Sequence, residues 1–175
     1  MAKTFKILFF LGLFGTLCAI GITYAVYYSV KDRIPTVAEL KDIELRIPLR
    51  IYTADNQLIG EFGEQRRTPI SYAEIPQGLE QAILAAEDTN FYHHPGVDIL
   101  GLGRAVMQLI TTGQKQGGGS TITMQVARNY FLSFEQTYIR KFTEIFIALK
   151  MERELSKHEI LELYVNKIYL GNRAY

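Results

Sequence analysis

EDTNFYHHPG, residues Glu87–Gly96, is the stretch on which the reading of this chain turns. Two adjacent acids close an apolar helical run and meet a turn crowded with aromatic and histidine side chains. A carboxylate half-buried at such a helix end has its charged form desolvated, which raises its pKa toward that of a useful general base. The ordinary alternative is a pair of surface acids, with the histidines bracing the loop. His93 and His94 are adjacent, whereas metal-binding pairs on a helix sit i, i+4, so they read poorly as metal ligands.

Two further clusters lie downstream. In GGGSTITMQ, Gly117–Gln125, glycines lead into a hydroxyl-rich helix start. Free backbone N–H groups and the positive end of the helix dipole then point the same way, which makes an anion site. A phosphate-loop reading fails, because Gly119 stands where the lysine belongs. A flexible connector would explain the glycines but not the dense Ser120-Thr121-Ile122-Thr123-Met124-Gln125. Farther on, Arg140 and Glu144 are spaced i, i+4 and Lys141 and Glu144 i, i+3, so all three can share one helix edge. The common outcome of such spacing is a solvated face worth ~0.2–0.5 kcal/mol per pair.

Around these clusters the pattern is helical. Leu79, Ala82, Ile83 and Ala86 share a face after Pro76-Gln77-Gly78. Asp98 can cap a second helix bearing Leu102, Val106, Leu109 and Ile110, stopped at Gly113. Ser120 can cap a third, through about Phe131. Tyr138, Phe142, Ile145 and Leu149 mark one face of a fourth, which ends near Leu155. Ser156-Lys157-His158-Glu159 is a capping box that opens a fifth helix, to about Leu170. Upstream, Leu49–Phe62 holds two β-leaning runs around Ala54-Asp55-Asn56-Gln57, a hairpin pattern. Residues 31–48 read as a stalk or first surface helix. The expected fold is mainly α with one small β-hairpin.

ILFFLGLFGTLCAIGITYAVYYSV, residues 7–30, contains no charge. A helix of that length at ~1.5 Å per residue spans a hydrocarbon core of ~30 Å. Lys3 and Lys6 precede it, and Tyr24, Tyr27 and Tyr28 cluster near its far end, where amphipathic rings favour the interface. A cleaved signal peptide has an apolar core of only ~7–15 residues, so the segment reads as an uncleaved anchor. Residues 1–6 are then cytoplasmic and the larger part lies outside. The chain of 175 residues has 19 Lys+Arg against 18 Asp+Glu, a net charge of +1. That balance argues against a nucleic-acid binder working by bulk charge. Its 48% hydrophobic and 12% aromatic content excludes a disordered tail, and its single Cys excludes an intrachain disulfide.

Taken in order, the motifs resemble the peptidoglycan glycosyltransferase domain of class A penicillin-binding proteins, most closely the 1A type. Glu87, Asp88, Phe91, His94 and Gly96 meet the family's E-D-x-x-F-x-x-H-x-G signature. Gly118, Ser120, Thr121, Ile122, Thr123 and Gln125 meet G-x-S-T-I-T-x-Q, and Arg140, Lys141 and Glu144 meet R-K-x-x-E. Ile160–Gly171 resembles a fourth family segment. Met124 stands where many members have Gln, and Arg128 where many have Lys. The chain stops before the fifth motif and lacks the penicillin-binding domain, so residues 49–175 are expected to be an incomplete glycosyltransferase domain.

The resemblance implies a lysozyme-like helical fold and polymerisation of lipid II into β-1,4-linked glycan, with release of undecaprenyl pyrophosphate. It implies Glu87 as general base and Glu144 as second carboxylate, positioning the donor or helping a divalent ion (Mg or Mn) at the pyrophosphate. No other cofactor is implied. Asp88, Ser120, Thr121, Gln125, Arg128, Asn129, Arg140 and Lys141 become substrate contacts, while Phe91, His94 and Gly96 build the motif loop. Lipid II, the nascent glycan strand, the cytoplasmic membrane and other cell-wall synthesis proteins are the implied partners. The apolar Phe131, Leu132 and Phe134 are expected to dip into the headgroup zone. A lysozyme-like lytic enzyme also pairs carboxylates around a sugar bond, but has no need of the cations around Glu144. An anchored glycan-binding or scaffold module without turnover is the reading from another class.

Overall fold

The computed structural model describes residues 2–43, 48–62, 68–113, 119–132 and 138–168. Helix α1 (Ala2–Val30) is apolar around its whole circumference. Its most apolar 18-residue window has a mean hydropathy of 2.1, and the helix is long and apolar enough to cross a membrane. Among the described residues it meets the rest of the chain near its base, where Val30 is buried and Tyr27 packs edge-on against Phe146 at 5.3 Å.

Part of the segment expected to be a stalk or first surface helix forms a short helix and is docked. Helix α2 (Val37–Lys41) starts at a capping box, in which Thr36 and Glu39 satisfy each other's free N–H groups. Leu40 is buried in the core, and Lys150 Nζ donates to Pro35 O at 2.6 Å. The hairpin forms where expected. Strands β1 (Leu49–Tyr52) and β2 (Leu58–Phe62) pair antiparallel with Arg50 opposite Glu61, an ion pair of 3.3 Å. Asn56, at φ 66°, turns the chain.

The remaining helices are α3 (Gln77–Glu87), α4 (Ile99–Thr112), α5 (Ile122–Phe131), α6 (Tyr138–Glu154) and α7 (Lys157–Val165). Helix α5 lies between α6 and α7. Its Ile122, Thr123, Met124, Val126 and Ala127 are all buried, as expected of a helix wrapped by neighbours. Ile147 and Met151 from α6, Ile160 and Leu161 from α7, Ile83 from α3 and the loop residue Phe91 complete the core.

Three expectations about faces and caps are corrected. On α6 the buried stripe is Thr143, Glu144, Ile147, Ala148 and Met151, while Phe142 is exposed. Small and polar residues hide that stripe from a hydropathy pattern, and Phe146, outside it, meets the anchor helix. On α4, Leu102, Leu109 and Ile110 are exposed, the last at 73%. On α5 the cap is Thr121, which accepts from Met124 N–H; Ser120 is one residue too early and bonds elsewhere.

Candidate active site

The site assembles around the first turn of α5. Helix α3 ends at Glu87, and Asp88 leaves helical geometry at φ −160°, ψ 77°, which turns its side chain inward while Glu87 stays at the surface. Asp88 is 7% exposed. Both its oxygens lie 3.0 Å from His94 Nε2, and Oδ2 also accepts from Ile122 N–H at 3.0 Å. Gly96 N–H donates to His94 Nδ1 at 3.1 Å. Nδ1 is therefore an acceptor, and the network assigns the proton to Nε2, a neutral imidazole donating to an ionised carboxylate.

The anion site expected at the start of α5 is thus filled from within. Asp88 takes the free N–H of Ile122, and Thr121 takes that of Met124 at 3.2 Å. The Thr121 hydroxyl donates in turn to Gly96 O at 2.6 Å. Gly96, at φ +93°, lies flush on α6; a Cβ there would sit 2.9 Å from Ala148 O. Phe91, 1% exposed, anchors the same loop.

Glu87 is exposed rather than half-buried, and its carboxylate accepts from Gln125 Nε2 at 2.8 Å. Gln125, Arg128 and Asn129 follow one another at helical spacing on the partly exposed face of α5. Tyr164 of α7 reaches the same region. Its phenol is pushed up to about 12 by burial first, then by the negative charge of Glu87, with Arg128 acting in the opposite sense.

The Arg140–Lys141–Glu144 edge is not a solvated face. Glu144 is 0% exposed. One oxygen meets Arg140 Nη1 at 2.5 Å and the other Lys141 Nζ at 2.9 Å. Lys141 also donates to Ser120 Oγ at 2.5 Å, tying α6 to the residue ahead of the α5 cap. Removing both cations would leave the Glu144 carboxylate buried and unpaired, which costs about 3–5 kcal/mol, whereas removing either one leaves it the other.

A cleft of about 160 Å³ opens between Glu87, Asp98, Arg104, Gly119 and Ser120. Asp98 caps α4 through Gly101 N–H at 2.8 Å; that bond first, then one from Asn90, holds its carboxyl below the usual range. Arg104, largely exposed, lies 3.6 Å from Asp98. Sequence reasoning missed Arg104, which belongs to no motif, and read Tyr164 only as part of the Ile160–Gly171 segment, without a place at the site. Among the described residues no group of three or more His, Cys, Asp or Glu is arranged to hold a metal.

A family model described as transglycosylase matches residues 55–175. The chain belongs to the transglycosylase family. Penicillin-binding protein 1A of Pseudomonas aeruginosa is 54% identical over 160 residues, covering 91% of this chain and 20% of the relative. Penicillin-binding protein 1A of Escherichia coli K12 is 49% identical over 155 residues, 89% of this chain and 18% of the relative. That of Vibrio cholerae is 47% identical over 165 residues, 93% of this chain and 20% of the relative. The chain spans about a fifth of the length of these curated relatives. The transglycosylase match begins in the hairpin turn and takes in every motif residue above. The alignments with the relatives cover about nine-tenths of the chain.

Proposed function

We propose that this chain is the membrane-proximal catalytic part of a peptidoglycan glycosyltransferase that joins lipid II units into β-1,4-linked glycan. One observation carries the reading: the start of α5 serves both carboxylates. Gln125 holds Glu87, and Ser120 holds Lys141, which with Arg140 engages Glu144.

In the proposed step the 4-hydroxyl oxygen of the incoming unit bonds to C1 of the donor sugar, with inversion. The hydroxyl proton passes to Glu87, and the C1–oxygen bond to undecaprenyl pyrophosphate breaks, the leaving group keeping the electron pair. Such a step needs a base at the hydroxyl and positive charge at the pyrophosphate. Glu87 is exposed at the cleft and free of the core, as a base that must reach substrate has to be. Gln125 orients it. Arg140, Lys141 and Arg128 are the cations, and Ser120 and Asn129 are further substrate contacts. Glu144, wholly buried, acts through Arg140 and Lys141 by holding their heads in place. Both its oxygens are engaged by these cations, so it does not fit a ligand for a Mg or Mn ion in this arrangement. Asp88 and Thr121 support substrate binding indirectly, by fixing the loop and the α5 N-terminus.

The anchor suits substrates with polyprenyl tails, because tethering raises the effective concentration of a membrane-bound partner. We place α1 in the bacterial cytoplasmic membrane, with residues 1–6 inside and the catalytic part on the outer face. A protein of the relatives' length would add a penicillin-sensitive transpeptidase. A lytic reading leaves the two cations on Glu144 without a task.

The test is polymerisation of lipid II in detergent by the chain continued to the length of its relatives, beside its Glu87→Gln variant. Glycan polymer from the first, reduced ~10²–10⁴-fold in the second, is expected. A folded wild-type protein that binds lipid II but makes no polymer overturns the reading in favour of an anchored glycan-binding module. Cleaved glycan as the product favours the lytic enzyme.

A further inference from the structure

We propose that Lys157, the first residue of α7, is a positioning residue for Glu87. The proposal rests on the glycosyl-transfer reading above. A cation in the first turn of a helix opposes the macrodipole, so Lys157 is locally unfavourable where it stands. Its tertiary contacts show what it does instead. The ammonium donates to His94 O at 2.7 Å and to Glu152 Oε1 at 2.8 Å, and lies 4.4 Å from the centroid of the Phe91 ring. Glu152, from α6, also accepts from Thr123 Oγ1 of α5 at 2.5 Å. One cation thus joins α7, α6, α5 and the loop of residues 88–97.

The route from this junction to Glu87 is short. His94 offers its carbonyl to Lys157 and its imidazole to Asp88. Asp88 holds the Ile122 N–H at the start of α5, and α5 carries Gln125, the partner of Glu87. Asp88 is also the residue directly after Glu87, so the loop sets the base from both sides. Releasing His94 O and Phe91 lets the loop lift from α6, where Gly96 now makes a backbone contact too close for any side chain. Lys157 itself touches none of the residues that line the cleft.

Lys157→Met keeps the apolar stem and removes the cation. Misplacement of the base lowers kcat roughly 10–100-fold, while KM for lipid II stays within about twofold. The variant also unfolds at a lower temperature, since the Glu152 side chain, 8% exposed, loses its counter-ion. Adding Glu152→Gln separates the two effects: the amide still accepts from Thr123, no buried charge is left unpaired, and the melting temperature recovers. His94 O and Phe91 remain without the ammonium, so kcat stays low and amide exchange at Gly96 and Ile122 stays fast. Recovery of kcat together with melting temperature in the double variant would reduce Lys157 to an ordinary ion pair and overturn the proposal. So would Lys157→Met with wild-type kcat, or with unchanged exchange at Gly96 and Ile122 whatever its activity. Wild-type protein without polymerase activity, assayed alongside, would overturn the reaction instead, while the exchange data still decide the linkage.

Discussion

Asp88→Asn changes one heavy atom and should cost far more than its size suggests. The carboxylate accepts from His94 Nε2–H on both oxygens and from Ile122 N–H on Oδ2, all at 3.0 Å. Asparagine keeps one oxygen, whose best place is that of Oδ2, where it still meets both donors without charge assistance. A hydrogen bond to a charged group contributes ~1.5–3 kcal/mol and a neutral one ~0.5–1.5, so two weakened bonds lose about 2–3 kcal/mol together. The new NH₂ then faces Nε2–H, donor against donor. The imidazole cannot escape by moving its proton, because Nδ1 is already taken by Gly96 N–H. The expected total is about 3 kcal/mol, a fall in melting temperature of roughly 6–12 °C. The assay is thermal unfolding in detergent of wild type and variant, with the His94 tautomer read by nitrogen NMR. A fall below about 2 °C, or a wild-type proton on Nδ1, would refute the hydrogen-bond assignment on which the estimate stands.

Two other perturbations test separate features. Gly96→Ala forces a side chain into φ +93° and against Ala148 O, and should cost about 2–4 kcal/mol. Gly113→Ala, at φ +67° with open space around it, should cost only ~1–2 kcal/mol; equal losses in thermal unfolding would contradict the close approach at Gly96. Tyr164 titrates at about 12 in the folded protein against an ordinary value of 10.0, so folding favours the neutral phenol. Its contribution is complete below pH 10 and is lost as pH rises through 10 toward 12. Tyr164→Phe should flatten the alkaline fall of stability across that window, and identical slopes in urea titrations would sink the assignment.

Where the sequence was legible, backbone chemistry made it so. Asp98, Gly113, the Ser156–Glu159 box and the Ala54–Gln57 turn mark element ends through their own hydrogen bonds and dihedral angles, and α4, α7 and the hairpin begin or end there. The fifth helix runs to Val165 and is followed by Asn166, whose side chain pairs with both backbone groups of Ile70, while Leu170, its expected end, lies outside the described residues. Faces were harder. Which side of α6 is buried depends on α5, and the buried side carries Thr143 and Glu144 where a pattern reader expects Phe142. Phe131 and Leu132, expected in the headgroup zone, pack against the core, while Phe134 lies outside the described residues. The motif residues did converge, but the division of labour among them was not visible. Glu87 and Asp88 are adjacent letters of one type, and only the backbone turn between them sends one to solvent and the other to His94. Lys157 was hidden for a similar reason, since its partners stand 63 residues upstream and on another helix.

The joint at Tyr27 and Phe146 has a mechanical meaning. Phe146 is two residues from Glu144 on the same rigid rod, and Lys150, one turn on, grips the chain just past the anchor at Pro35. With α1 across a bilayer there is little slack between lipid and chemistry. The uncharged stretch of residues 7–30 is ~36 Å long as a helix, against a hydrocarbon core of ~30 Å, so it leans to fit. A change in bilayer thickness is expected to alter that lean and, through the Tyr27–Phe146 contact, the attitude of the helix holding Arg140 and Lys141. The lipid composition around this protein would then be a setting of its machinery as well as its surroundings.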